Sequence, residues 1–212
     1  MNNTKNTINL FNKFALTYQE KYMNVDAYAG LLKLFCDSIL IENAAILELA
    51  CGPGNITKYL LNLRPDFKLL GTDLAQNMLD LAKINNPTAN FKLLDCREIH
   101  KVNQKYDGIV CGFCLPYLSK EAAIKLIDDG SNLLNKNGVF YVSTMEDSYA
   151  KSQFKGPSSG GDDKLFTNYH EADYLLEALE KSGLQILKLD RTSYPETDGT
   201  ITTDLQILAK KI

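Results

Sequence analysis

Three carboxylates stand where apolar runs of strand length come to an end: Glu48 in AILELACGPG, Asp73 in FKLLGTD and Asp95 in FKLLDC. The first is followed by Gly52-Pro53-Gly54 and then by a stretch that reads as a helix. A glycine turn between strand and helix presents free backbone amides at the helix N-terminus, which commonly hold a phosphate. Here the residues oppose that ligand. No Lys-Ser/Thr pair follows the second glycine, as a nucleoside triphosphate site requires. The place of the third glycine of a dinucleotide turn is taken by Thr57. Pro53 has no amide proton to offer, and Glu48 would repel a pyrophosphate. An acid at the mouth of the turn calls for a ligand with an amine or other cationic end. Asp73, at the tip of the second strand, is placed to accept hydrogen bonds from both hydroxyls of a ribose. Asp95, at the tip of the third, is placed to accept from the amino group of an adenine, with the amide of Cys96 donating to the ring.

These residues have to be brought to one edge by a sheet. Runs of strand length fall near 45–50, 67–72, 90–94, 107–112 and 138–144, with helical stretches near 55–63, 75–84 and 119–134. Alternating strand and helix implies a parallel sheet covered on both faces, with ligands at the C-terminal strand ends. In NKNG (135–138), Gly138 is expected to take a positive φ in the turn from helix to strand. Before the first strand, Phe11, Phe14, Ala15, Tyr18 and Tyr22 recur at helical spacing, and so do Tyr28, Leu31, Leu32, Phe35 and Ile39. This predicts two helices, over 8–23 and 27–40. After Met145 the pattern stops, and residues 146–168 are polar and rich in Gly and Ser, as a lid or substrate loop often is. A helix over 171–182, ended by Gly183, precedes two further strands near 185–194 and 200–210, and Asp198-Gly199 between them signals a hairpin.

The motifs, taken in order, resemble the class I S-adenosylmethionine-dependent methyltransferases, in particular the branch acting on small molecules. ILELACGPG is similar to the first motif of that family, LLGTDLAQNML to the second and FKLLDC to the third. YDGIVCGFCLPYL resembles the fourth-strand motif and LLNKNGVFYVST the entry to the fifth strand. The resemblance covers about residues 40–145. It departs from the family at Ala50, where the first glycine of the motif usually stands, and at Pro116, where many relatives carry a histidine. The resemblance implies a Rossmann-like α/β fold: a mostly parallel seven-stranded sheet with helices on both faces, a C-terminal antiparallel hairpin and an N-terminal helical cap. It implies one domain, with the cap over 1–41, a cofactor-binding core over 42–145, the polar loop over 146–168, and the last helix and hairpin over 169–212. The cofactor implied is S-adenosyl-L-methionine. Glu48 would support the methionine amine and the turn, while Ala50, Gly52 and Gly54 would leave room for the backbone to approach. Asp73 would hold the ribose, Leu74 and Met78 would pack on the adenine, and Asp95 and Cys96 would read it. Cys111 would offer its carbonyl to the amine, Phe113 would wall the sulfonium, and Tyr18 would roof the site.

Other residues invite chemistry less strongly. Cys111-Gly112-Phe113-Cys114 provides one cysteine pair, half a zinc site, and no second pair or histidine cluster follows at ligand spacing. The pair ends a strand, whereas a redox pair opens a helix, so both thiols read as packing groups. No strong general base stands out; Tyr117 and His170 are the weak candidates, and His100 reads as a surface residue. The odd count of five cysteines, mostly within apolar runs, fits reduced thiols and a cytoplasmic setting. A net charge of −3 gives no pull toward phosphate backbones, so nucleic acid is not an expected partner. No apolar run is long enough to span a bilayer, and the polar N-terminal stretch does not resemble a secretory signal. The expected partner is a small-molecule methyl acceptor. Two other classes stay open: a nicotinamide-dependent oxidoreductase, against which Glu48 and the missing third glycine count, and a non-catalytic S-adenosylmethionine-binding regulatory module.

Overall fold

The computed structural model describes residues 2–156, 163–196 and 199–212. Its main element is a seven-stranded sheet built from β1 (Ala45–Leu49), β2 (Lys68–Asp73), β3 (Asn90–Leu93), β4 (Tyr106–Gly112), β5 (Leu134–Glu146), β8 (Leu184–Pro195) and β9 (Ile201–Lys211). The spatial order is β3-β2-β1-β4-β5-β9-β8, with the first five strands parallel and β9 antiparallel to both of its neighbours, β5 and β8. Strand order reverses between β1 and β4, and the crevice outside that reversal is where open α/β sheets bind ligands.

Both faces of the sheet are covered, so its central strands read as unbroken apolar runs. Leu47, Leu49, Phe140 and Val142 point to one core, shared with α6 (Lys120–Leu133) and α7 (Ala172–Lys181). Ile46, Val139 and Tyr141 point to the other, shared with α3 (Ala29–Ser38) and α4 (Asn55–Leu63). The period of two along each strand thus sorts its side chains between the two cores. Helix α5 (Gln76–Asn85) joins β2 to β3 and carries Met78 beneath the N-terminal segment.

That segment differs from the expected pair of helices. The first helical stretch is broken at Phe14 into α1 (Asn2–Lys13) and α2 (Ala15–Tyr22). The break lets Ala15 pack on Ala75 and Met78, with Phe11 and Tyr18 on either side. Side-chain hydrogen bonds hold this cap down. Asn77 donates its amide to Asn12 Oδ1 and its Nδ2 to Asn12 O, both at 2.9 Å. Asn85 Nδ2 reaches Gln19 Oε1 at 2.7 Å and Pro53 O at 2.8 Å.

Two other expectations need correction. Strand β5 begins at Leu134, so NKNG belongs to the strand, and the residue with positive φ is Asn137 (65°), not Gly138. Asparagine tolerates the left-handed region. Gly138 answers to space instead, because a Cβ there would lie 2.9 Å from the carbonyl oxygen of Asn135 and 3.2 Å from that of Asp107. The polar segment 146–168 is also not pattern-free. Gln153–Lys155 (β6) pairs antiparallel with Leu165–Thr167 (β7), and the rings of Phe154 and Phe166 meet edge to face at 5.2 Å. Residues 157–162 of that segment lie outside the described residues, as does Asp198 of the hairpin signal. Gly183 and Gly199 take positive φ of 77° and 82°, as turn residues at the end of α7 and between β8 and β9. Among the described residues no helix is long and apolar enough to cross a membrane.

Candidate functional site

The turn after β1 is wound through the left-handed region. Ala50, Gly52 and Gly54 have φ of 51°, 53° and 78°. Gly54 has no space for a side chain either, since a Cβ would meet Asn86 Nδ2 at 2.3 Å. Ala50 bears its methyl in a conformation that costs an L-residue roughly 1–2 kcal/mol. Glu48 explains how the turn is anchored. It is 1% exposed, and its carboxylate accepts both the hydroxyl and the backbone amide of Thr57 in the first turn of α4. A side chain from the strand therefore caps the helix that Gly54 cannot cap. Burial pushes the Glu48 carboxyl up to about 8, despite the bonds from Thr57. Thr57 itself is fully buried, so the position where a dinucleotide turn has its third glycine is filled by a bonded side chain.

Asp73 leaves β2 and turns back over this loop. Its Oδ2 accepts from Gly52 N at 2.9 Å and its Oδ1 from Ala75 N at 2.8 Å. A carboxylate offers about four lone-pair sites, so capacity remains for a ligand's hydroxyls. Burial raises its carboxyl, against the opposing effect of the amide bonds. Asp95 is engaged differently. Burial alone would raise its carboxyl, but hydrogen bonds from the side chain and amide of Arg97 outweigh that effect and hold it below the ordinary range. Arg97 Nε lies 2.9 and 3.0 Å from the two Asp95 oxygens, and Nη2 also bonds Oδ2. Its Nη1 donates to Thr4 Oγ1 at 3.0 Å, tying the strand-end acid to the first helix.

These groups wall one open cavity. Of the residues singled out in the sequence, Tyr18, Ala50, Gly52, Asp73, Leu74, Met78, Asp95, Cys96, Phe113 and Tyr117 line it. Tyr18 lies over the turn: a Cβ on Gly52 would be 3.7 Å from its ring. Phe113 has a left-handed backbone (φ 51°), held by amide bonds to Ser143 O at 3.1 Å and Ser143 Oγ at 3.2 Å. Its ring packs on Tyr28 at 5.1 Å, and Tyr28 donates to the buried Asp204 at 2.8 Å.

Four expected residues stand elsewhere. Glu48, expected to support the amine and the turn, faces α4, bonds Thr57 there and is not among the residues lining the cavity. Gly54 packs on α5. Cys111 is fully buried in β4, and Gly112 beside it forms the wall instead. His170 is buried behind the 3-10 turn Leu115–Tyr117, with Nε2 2.7 Å from Leu115 O and Nδ1 bonded to Tyr174 OH. Both ring nitrogens are engaged, and burial lowers its pKa, which suits a neutral packing histidine more than a base. Cys96 and Cys114 are free thiols with sulfurs 3.4 Å apart, and among the described residues no cluster fit for a metal ion occurs.

Comparison with known proteins agrees with this geometry. A methyltransferase-domain family matches residues 46–138, from β1 through the turn into β5. The fold superposes on an S-adenosylmethionine-dependent methyltransferase from Clostridium acetobutylicum with a TM-score of 0.71 at 18% identity, covering 95% of this chain and 99% of that one. Residues 46–138 thus match a methyltransferase domain, on a fold shared with S-adenosylmethionine-dependent methyltransferases. Magnesium protoporphyrin IX methyltransferase from Synechocystis, solved with bound S-adenosylmethionine, matches this methyltransferase fold with a TM-score of 0.63 at 16% identity, covering 93% of this chain and 81% of that one. A protein of Invertebrate iridescent virus 6 whose name marks it as a methyltransferase is 32% identical over 112 residues, 52% of this chain and 41% of the viral one. The chain spans less than two thirds of the length of the curated relatives that it matches.

Several lining residues carried no sequence motif. Thr4, Thr7, Ile8 and Phe11 come from α1, Arg97 from the turn after β3, and Phe166 and Asn168 from the arm of β6 and β7. Only Phe11 belongs to a periodic stripe that hinted at its burial. Arg97, two residues after Asp95, was available as a close acid–base pair.

Proposed function

We propose that this protein transfers the methyl group of S-adenosyl-L-methionine to a small-molecule acceptor. The observation that carries the reading is the meeting of Asp73, Asp95 and the Gly52 turn on the wall of one cavity at the strand-order reversal. The residues fit that cofactor. Asp73 keeps acceptor capacity for ribose hydroxyls, Leu74 and Met78 form an apolar surface for a purine, and Asp95 and Cys96 border the same end. Ala50 and Gly52 present backbone with little side chain in the way. Bound there, the cofactor supplies an activated methyl on a sulfonium; the chain supplies orientation and exclusion of water.

Exclusion of water falls to segments outside the motifs. Helix α1 and the arm both border the cavity, and Lys13 meets Asp163 at 2.6 Å between them. We read these as the lid. A cavity roofed in this way suits a small molecule better than a macromolecular surface, and a cytoplasmic setting is supported by five free thiols. The phenol of Tyr18 is pushed above its ordinary range by burial, so it is not suited to act as a base at neutral pH.

Calorimetry with S-adenosylmethionine, S-adenosylhomocysteine and NAD tests the reading. Both adenosyl compounds should bind and NAD should not. Binding of NAD with no heat from either adenosyl compound would refute it in favour of an oxidoreductase.

A further inference from the structure

Beyond Phe113 the cavity wall belongs to neither strand-end acid. It is formed by Phe11, Tyr117, Phe166 and Asn168. The rings of Phe11 and Tyr117 meet edge to face at 5.1 Å. Asn168 is only 7% exposed. Its backbone amide donates to Pro116 O at 2.8 Å, and its Nδ2 donates to the same oxygen at 3.1 Å. A carbonyl can only accept, so the carboxamide is fixed with nitrogen toward Pro116 and oxygen away from it. Among the described residues Oδ1 has no hydrogen-bond partner. On a cavity wall, that oxygen is free to accept from a ligand.

The neighbouring groups narrow what that donor is. The carbonyl of Leu115 is taken by His170 and that of Pro116 by both nitrogens of Asn168, so the nearby main chain offers a ligand little. Arg97 is the one cationic side chain among the described lining residues, and it is paired with Asp95 at the other end. An anionic acceptor would find no counter-charge past Phe113, and desolvating it there would be unfavourable. A hydroxyl acceptor needs a base to take its proton, whereas an amine of low basicity arrives with a free lone pair.

We infer that the methyl acceptor is an uncharged, flat aromatic amine, seated against Phe11, Tyr117 and Phe166 with an N–H donating to Asn168 Oδ1. This deepens the methyl-transfer reading and rests on it. In the step, the nitrogen lone pair forms the new N–CH3 bond as the C–S bond breaks and its electron pair returns to sulfur. Sulfur leaves as a neutral thioether, nitrogen takes the positive charge, and one N–H proton is then lost to water. Asn168 orients the nitrogen and takes no proton.

The test begins with binding of S-adenosylhomocysteine to the natural protein, measured before any acceptor probe is added. Absence of that binding overturns the cofactor reading and this inference with it. The saturated complex is then titrated with 3-aminoquinoline and with quinoline-3-carboxylate, which share a ring and differ in charge. The amine should bind at least about tenfold more tightly. Asn168→Leu should weaken the amine about tenfold while leaving S-adenosylhomocysteine affinity unchanged, with the melting temperature lowered only by the loss of the Nδ2 bond to Pro116 O. Equal binding of the two probes overturns the inference without recourse to a variant. An Asn168→Leu protein that binds the amine as before, or that loses cofactor and amine together, overturns it as well, because the carboxamide is then idle or merely structural.

Discussion

Glu48→Gln separates a helix cap from a charged ligand contact, and its effect depends on pH in a calculable way. Burial pushes the Glu48 carboxyl up to about 8, whereas the unfolded chain ionises it near 4.3. Between those values the folded protein holds a proton that the unfolded chain has released. Stability therefore falls as pH rises through this window, by up to about 1.4 kcal/mol per unit, and levels off above the folded value. The total is on the order of 3–5 kcal/mol, a large share of the usual 5–15 kcal/mol for a domain. Glutamine keeps an oxygen for the Thr57 hydroxyl and amide but has no proton to lose. In urea unfolding without ligand, the variant should gain on the natural protein steadily from pH 5 to pH 8.5, by several kcal/mol. Asp73 and Asp204 also have raised carboxyls, but their contributions cancel in the comparison. A stability difference that is the same at pH 5 and pH 8.5 would refute the argument, since it would mean that Glu48 is ionised in the fold throughout.

Three further outcomes follow from the site. Ala50→Gly should raise stability by about 1 kcal/mol by relieving a left-handed alanine; a lower midpoint in thermal unfolding would show that the methyl group packs better than its backbone suggests. Asp73→Ala should weaken S-adenosylhomocysteine binding by roughly 2–4 kcal/mol. It should also destabilise the free protein by about 1–2 kcal/mol, because Gly52 and Ala75 lose their amide partner; calorimetry and urea unfolding check the two parts, and unchanged affinity in a folded variant would leave Asp73 a cap alone. In hydrogen exchange, residues 2–13 should gain protection with S-adenosylhomocysteine, and residues 165–168 should gain more once an acceptor is also present; protection confined to 50–54, 73–78 and 95–97 would count against the lid.

The central sheet was legible because its strands are covered on both faces and separated by amphipathic helices, so strand and helix patterns alternate plainly in the sequence. Asp73 and Asp95 were legible for the same reason: a polar residue that ends an apolar strand has to emerge at the sheet edge. What those acids meet there was not. The direction of the Glu48 side chain depends on α4 passing behind the turn, and the capture of Asp95 depends on a 3-10 turn, Cys96–Lys101, that folds Arg97 back. The break at Phe14 leaves no mark in the helical stripe, because Phe11, Ala15 and Tyr18 keep their spacing through it. Asn168 sits in a polar stretch that resembles any loop. Only the pairing of β6 with β7 and two bonds to Pro116 bring it to the cavity.

The place of β9 bears on how the chain is assembled at the ribosome. β9 follows β8 in sequence but lies between β5 and β8 in space, and among the described residues β8 pairs in the sheet ladder with β9 alone. The five parallel strands are complete once β5 has emerged, yet until the last strand is made β5 remains an open edge and β8 has no sheet to join. Such an edge can recruit a strand from a neighbouring chain. The final stretch, Ile201–Lys211, thus acts as a closing wedge: its arrival seals the sheet and in the same movement brings Asp204 under Tyr28 and so behind Phe113. Nascent chains halted before Ile201 should be aggregation-prone and sensitive to protease at β5, whereas resistance there equal to that of the finished protein would show that the parallel strands close without the wedge.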